Sequence, residues 1–207
     1  MVLFGIPINW HWSSLFLLFM VMPSFTLAGV LNGVLIFSLL MTFLLGHEIS
    51  HCLAARKFGY ETKNITVMAL GGLAQITGAA NWTNKEEAII AVAGPLFNLV
   101  CAVIMIGLAL LASAVAPVLI PTISIAIAIN ILLGVFNLIP AYPMDGGRIL
   151  KTICYTIFGA EKGMKVAKII STMFGGAMIG FGLFSGNIIL AIIGGAAIFF
   201  TQRMGRI

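Results

Sequence analysis

The stretch VLIFSLLMTFLLGHEISH, residues 34–51, joins a long apolar run to two histidines and a glutamate. On a helix, residues four apart lie on nearly the same face, so His47 and His51 can direct two imidazoles at one point. Glu48 directly follows His47, so its side chain lies on an adjacent face of the same helix. Ionisable groups beside hydrocarbon are costly, so three of them in one apolar helix indicate a compensating partner such as a metal ion.

The spacing H-E-x-x-H on a helix is typical of zinc metalloproteases, in which the two histidines bind the metal and the glutamate is the general base. The alternative is that His47 and His51 match by chance or lie at a membrane interface. The place of the motif at the end of an apolar helix favours the metal site over that alternative.

The composition predicts a membrane protein. Of the 207 residues, 61% are hydrophobic and only 8% are charged, and so few charged residues could not cover the surface of a soluble domain. We therefore expect a single polytopic transmembrane domain over residues 1–207. The N-terminus lacks the basic region and cleavage site of a removable signal peptide, so the first span is expected to remain.

We expect an all-α membrane fold with six transmembrane helices and one small β segment. Stretches of about 20 apolar residues occur near 13–31, 32–57, 86–114, 121–137, 164–184 and 187–202. Loose alternation predicts β-strand at about 60–81, with residues 1–9 as a candidate partner. Pro140 and Pro143 predict an unwound stretch at 138–145, since proline cannot continue a helix.

The basic residues predict the orientation in the membrane. Lysines and arginines are concentrated in loops 56–85 and 148–168 and at the C-terminus. Positively charged loops usually face the cytosol. We therefore expect a multi-pass protein of the cell membrane with both termini cytosolic and the histidine pair nearer the cytosolic side. Basic residues placed this way do not indicate nucleic-acid binding.

A catalytic zinc takes three protein ligands and keeps a fourth position for water. The chain offers one further histidine, His11, and one aspartate, Asp145. His11 lies between Trp10 and Trp12, which favours an ordinary place in the headgroup region. Asp145 follows the unwound stretch and could equally be the N-cap of the next helix. The shortage of rival ligands favours a metal role for Asp145.

Two other features lie close to these candidates. Asn137 precedes the unwound stretch, where its amide could donate a hydrogen bond to a substrate carbonyl or satisfy freed backbone groups. The sequence alone leaves both roles open. Gly71 and Gly72 interrupt the predicted strands and indicate a bulge, a turn or a close approach of another backbone.

Three motifs occur together in order: HExxH at 47–51, GPxxN at 94–98 and NxxPxxPxDG at 137–146. With them, the chain resembles the site-2 protease family of intramembrane zinc metalloproteases across essentially its whole length. It is most similar to compact archaeal and bacterial members without PDZ or CBS domains. Met144 stands where the family usually has leucine before Asp-Gly.

The resemblance also implies which residues form the active site. It implies that His47, His51 and Asp145 bind one zinc ion, that Glu48 activates a water, and that Asn137 assists at the oxyanion. The strand at Gly71 and Gly72 would hold an unwound substrate segment, and Asn98 is also assigned to substrate binding. The substrate roles of Gly71, Gly72 and Asn98 come from the resemblance alone.

The implied substrate is a single-span protein in the lipid bilayer, such as a membrane-tethered transcription regulator or a signal-peptide remnant. The reaction would be regulated intramembrane proteolysis. Two other functions could use the same histidine pair: a metal transporter and a non-proteolytic scaffold. A transporter would need further ligands across the membrane, and neither function has a need for Glu48.

Overall fold

The computed structural model describes residues 1–15, 26–68, 71–78 and 81–203. This part of the chain contains four strands, β1 Val2–Leu3, β2 Ile6–Trp10, β3 Thr62–Met68 and β4 Gly71–Ile76. Its long helices are α1 Leu27–Arg56, α2 Asn84–Val115, α3 Ile120–Asn137, α4 Asp145–Phe158, α5 Ala160–Phe184 and α6 Ile188–Arg203. The expectation of a helical membrane protein with a small β segment is confirmed.

Among the described residues, four helices are long and apolar enough to cross a membrane: α1, α2, α5, and α3 together with the short turn before it at 117–119. The described residues therefore form a multi-pass membrane protein. Six spans are not confirmed. Most of the first expected span, 13–31, lies outside the described residues, and α6 has only 16 residues, fewer than the roughly 20 that a perpendicular span needs.

The boundary expected between the first two spans is wrong. Helix α1 begins at Leu27, five residues before the expected start at Asn32. The Thr26 hydroxyl oxygen accepts a hydrogen bond from the Gly29 backbone N–H at 3.1 Å. A threonine at the N-cap satisfies one of the free N–H groups of the first turn, which explains why the helix begins there.

The strands form one sheet in the order β1-β2-β3-β4. Strand β2 pairs with β3 in parallel, and β3 pairs with β4 antiparallel, so the expected pairing of the N-terminus with the 60–81 segment is confirmed. Ile6 and Ile65 are fully buried in a cluster with Ile49 and Cys52 of α1. The sheet therefore packs its apolar face on the helix that carries the histidines.

The described residues fall into two compact units. The first comprises residues 1–80 with 93–134, and the second comprises 81–92 with 135–207. The first unit contains the sheet, α1 and most of α2 and α3. The second contains α4, α5, α6 and the beginning of α2.

In the second unit, the chain unwinds as the two prolines predict. Helix α3 ends at Asn137, and α4 begins at Asp145 after an irregular stretch. The N-cap position of α4 is Met144, and Asp145 is the first helical residue. The alternative interpretation of Asp145 as an N-cap is therefore wrong. The Ser171 hydroxyl oxygen accepts a hydrogen bond from the Tyr142 backbone N–H at 3.0 Å, which fixes the unwound stretch against α5.

Candidate metal centre

The histidine pair is buried on one face of α1 in the first unit. The Nε2 atoms of His47 and His51 are 3.1 Å apart. Two nitrogens that bind one tetrahedral zinc at about 2.05 Å each lie roughly 3.3 Å apart. The two imidazoles thus converge at nearly the separation that a shared metal requires, and the helical spacing of four residues places them there.

Gly94 of α2 leaves the space in front of these imidazoles open. A Cβ atom added to Gly94 would fall against the Nε2 atoms of both His47 and His51. Any other residue at this position would fill the volume toward which both nitrogens point. The residues present therefore fit a bound metal ion, because they combine two converging imidazoles with a cavity that a single methyl group would occupy.

Asn98 lies one turn along α2 from Gly94. Its Oδ1 is 2.6 Å from Nδ1 of His47, and its Nδ2 donates to Oδ1 of Asn130 at 3.0 Å. Asn98 and Asn130 are both fully buried. The hydrogen bonds of Asn98 shown here involve protein groups, and its predicted contact with substrate stays a prediction.

Glu48 is buried beside the histidines and lies under strand β4. A Cβ atom on Gly72 would overlap the Glu48 side chain. The glycine allows the backbone of β4 to pass directly over the carboxylate, as the close approach expected at Gly71 and Gly72 requires. Because β4 is the last strand in the sheet order, an edge of the sheet lies close to Glu48.

The third predicted ligand, Asp145, is buried in the second unit, where it is the first residue of α4. Arg148, one turn after Asp145 on α4, has its guanidinium Nη1 3.8 Å from the Asp145 carboxylate. Two imidazole nitrogens and one carboxylate oxygen would make a donor set that suits zinc.

The remaining predicted site residues lie as follows. His11 is exposed, and its Nδ1 is 2.7 Å from the Ser13 hydroxyl oxygen. Asn137 is half-buried at the end of α3. Gly71 has a φ of +130°, which L side chains rarely adopt, so glycine is needed where β4 begins.

The sequence reasoning missed Asn130. It is the lone amide in the run ISIAIAINILLG, residues 123–134, whose other residues are apolar or small. A polar amide in the middle of a span is costly unless it has a hydrogen-bond partner. That signal was present in the sequence, but it did not reveal the partner, because Asn98 and Asn130 are 32 residues apart.

The model of peptidase family M50 matches two overlapping stretches of the chain, residues 35–118 and 105–181. The chain belongs to peptidase family M50. This confirms the resemblance to the site-2 proteases and the assignment to a family of membrane metalloproteases. The matched stretches include the HExxH, GPxxN and NxxPxxPxDG motifs.

Individual M50 proteins support the same assignment. A zinc metalloprotease of Methanocaldococcus jannaschii is 31% identical over 206 residues, which cover 98% of the present chain and 59% of that protein. Rip3 of Mycobacterium tuberculosis is 31% identical over 215 residues, with 92% and 54% covered. The chain thus spans little more than half the length of these curated relatives.

A solved M50 structure has the same fold. The site-2 protease from Methanocaldococcus jannaschii is 28% identical and superposes with a TM-score of 0.70. The match covers 100% of the present chain and 94% of that chain. The match therefore includes the sheet near the N-terminus as well as the helices.

Proposed function

We propose that this chain is an intramembrane zinc metalloprotease that hydrolyses a peptide bond in or near the transmembrane segment of a membrane protein. The observation that supports this best is the convergence of the His47 and His51 Nε2 atoms, 3.1 Å apart, on the space that Gly94 leaves open, with Glu48 buried on the same helix. Membership of family M50 and the names of the relatives point to the same activity and the same metal.

The ligand assignment follows from the donor atoms. His47 and His51 would bind zinc through Nε2, and Asp145 would bind it through a carboxylate oxygen, which leaves a fourth position open. When bound, the ion supplies Lewis acidity to an attacking water and to the scissile carbonyl. Gly94 preserves the volume that the ion needs.

Glu48 would be the general base. It follows His47 directly on α1 and is largely shielded from solvent, and we assign its carboxylate to a water at the open position. It would take a proton from that water and deliver it to the leaving amine nitrogen. Asn137 would donate its amide N–H to the developing oxyanion.

Strand β4 supports a mode of substrate binding. A transmembrane substrate hides its scissile carbonyl within a helix and must unwind before attack. An extended segment that pairs with the edge of β4 would regain backbone hydrogen bonds. Because Gly72 of β4 lies against Glu48, a strand added there would run past the carboxylate.

The proposed partners and orientation follow from the same reasoning. The substrate would be a single-span membrane protein in the surrounding bilayer, such as a tethered transcription regulator or a signal-peptide remnant. The basic loops would place both termini in the cytosol and the site nearer that face. Water would then enter from the cytosolic side.

Replacement of Glu48 by glutamine tests the proposal. We expect Glu48→Gln protein in detergent to retain its zinc, measured by elemental analysis, since the ligands are unchanged. Cleavage of a tagged single-span substrate should fall by at least roughly 100-fold, because the general base is lost. Glu61→Gln, at an exposed position, is the matched control and should cleave normally.

Two results would contradict the proposal. Cleavage by Glu48→Gln near the native rate would remove Glu48 from the mechanism. Native protein that carries zinc but cleaves none of a panel of single-span substrates would favour the non-proteolytic scaffold instead.

A further inference from the structure

A chain of buried amides connects His47 to the backbone of α3. The Asn98 Oδ1 lies 2.6 Å from His47 Nδ1, and Asn98 Nδ2 lies 3.0 Å from Asn130 Oδ1. The Asn130 Nδ2 lies 2.9 Å from the carbonyl oxygen of Ala126 on the same helix. No step of the catalytic proposal above uses Asn98 or Asn130.

The direction of these hydrogen bonds is fixed from the far end. A backbone carbonyl can only accept, so the Ala126 oxygen requires the NH₂ group of Asn130. The Asn130 oxygen then faces Asn98 and must receive that side chain's NH₂ group. The same NH₂ group also donates to the Phe43 carbonyl oxygen at 3.4 Å, which independently sets the Asn98 amide in this orientation.

The Asn98 oxygen is therefore left facing His47 Nδ1, where it can only accept. His47 must carry its proton on Nδ1, and its Nε2 presents a lone pair toward Nε2 of His51 and the volume in front of Gly94. A neutral imidazole bonds a metal only through its unprotonated nitrogen. The tautomer of His47 thus decides whether Nε2 can be a ligand.

We infer that Asn98 and Asn130 are positioning residues that hold His47 in the Nδ1–H tautomer, with Nε2 ready for a metal. The inference rests on the proposed metal site. Hydrogen-bond partners of metal-ligating histidines commonly fix both tautomer and ring orientation, and their loss typically lowers metal affinity about 10- to 100-fold. In this protein the hydrogen-bond partner of His47 is the Asn98 amide, which is itself oriented by the Asn130 amide on another helix.

The test measures the tautomer directly in the metal-free full chain. The protein has three histidines, so ¹⁵N-histidine NMR in detergent gives few signals, and a His11→Gln variant assigns one of them. We expect His47 to be the Nδ1–H tautomer in the native protein. In Asn98→Leu and Asn130→Leu, the signal should move toward a mixture of tautomers.

Zinc affinity, measured by competition with a chelator, is the second readout. Asn98→Leu should weaken binding about 10- to 100-fold, and Asn130→Leu should weaken it by about tenfold, the lower end of that range. Asn98→Asp keeps an oxygen that accepts from His47 Nδ1 but loses the NH₂ group that donates to Asn130 Oδ1 and the Phe43 carbonyl oxygen, so it should bind zinc more tightly than Asn98→Leu and less tightly than the native protein. Thr201→Val is the control for loss of a fully buried polar group in the other unit.

The outcomes separate this inference from the proposed function. If Asn98→Leu lowers the unfolding temperature as Thr201→Val does, yet leaves the tautomer and zinc affinity unchanged, the two amides are merely structural and the inference is overturned. Native protein that binds no zinc would instead overturn the proposed function. The tautomer measurement stands in either case, because it uses metal-free protein.

Discussion

The two units of the molecule use glycine for different purposes. In the first unit, a Cβ atom on Gly94 would meet the Nε2 atoms of two histidines. In the second unit, a Cβ atom on Gly194 of α6 would meet the backbone oxygen of Gly175 of α5 at 2.6 Å. Gly94 therefore leaves the volume beside two imidazole nitrogens open, whereas Gly194 allows two helices to contact each other through their backbones.

The hydrogen-bond partners of buried polar side chains also differ between the two units. In the first unit, two asparagine amides lead to an imidazole nitrogen. In the second unit, the hydroxyls of Ser171 and Thr201 lie 2.6 Å apart and connect α5 with α6. Glycines and buried polar groups in this apolar chain therefore lie either beside the candidate metal ligands or at a contact between helices. The type of residue does not tell these two roles apart; the atoms that face it do.

The largest effect should come from Gly94→Ala. The added methyl group would occupy the volume that the two Nε2 atoms face, so zinc could not bind without displacement of α1 or α2. We expect purified Gly94→Ala protein to contain almost no zinc by elemental analysis and to show no cleavage above background.

Gly107→Ala is the matched control on the same helix, because a Cβ atom on Gly107 meets nothing within 4 Å. This variant should retain full zinc content and activity. Stoichiometric zinc in Gly94→Ala would show that the metal does not lie between the two imidazoles, and it would remove the contrast between Gly94 and Gly194.

A smaller effect is expected for Gly72→Ala in strand β4. Its methyl group would press on Glu48 rather than on the ligands, so the zinc content should stay normal. We expect kcat to fall about tenfold or more, since a displacement near 1 Å can cost as much as 100-fold. Zinc analysis and cleavage rates measured on the same preparation separate the two effects.

The neighbouring variant Leu73→Ala tests whether any change in β4 has this result, because Leu73 is half-exposed. It should cleave within about threefold of the native rate, since truncation of a partly exposed side chain leaves the backbone of the strand in place. Equal losses of activity in Gly72→Ala and Leu73→Ala would mean that β4 acts through the stability of the sheet rather than through contact with Glu48.

The local pattern of the sequence was sufficient for much of the fold and for the candidate ligands. Four-residue spacing placed His47 and His51 on one face, and two prolines predicted the unwound stretch before Asp145. Apolar runs located α2, α3, α5 and α6 to within a few residues, whereas α1, capped by Thr26, begins earlier than hydropathy alone indicates.

The remaining features depend on contacts between distant residues. Nothing near Asn98 in the sequence identifies His47 or Asn130 as its partner. Likewise, Gly94 looks like any small residue at a helix contact until the imidazoles facing it are located. Sequence periodicity gives the face of a helix, but the neighbour on that face is set by tertiary packing.

Gly194→Ala should affect stability rather than chemistry. The added methyl group would meet the Gly175 carbonyl oxygen and force α5 and α6 apart, at a cost of about 1–3 kcal/mol, which is typical of overpacking. We expect a lower midpoint of thermal unfolding in detergent and unchanged zinc content. Gly195→Ala is the adjacent control: its Cβ atom meets nothing within 4 Å, and alanine favours the helix by up to about 1 kcal/mol.

If Gly194→Ala instead lost zinc while it remained as stable as Gly195→Ala, the division of roles between the two units would be wrong. If both variants were equally stable and retained zinc, the α5–α6 contact would not be as close as the structure shows.

The smallest expected effect tests the hydroxyl pair itself. Ser171→Ala removes the acceptor of the Tyr142 N–H and the partner of Thr201, so it should lower the free energy of unfolding by about 1–2 kcal/mol. A double-mutant cycle with Thr201→Val isolates the hydrogen bond between the hydroxyls, and we expect a coupling near 1 kcal/mol. Zero coupling would mean that the Tyr142 N–H, rather than Thr201, is the partner that matters. In that case Ser171 fixes the unwound stretch before Asp145 and contributes little to the contact between α5 and α6.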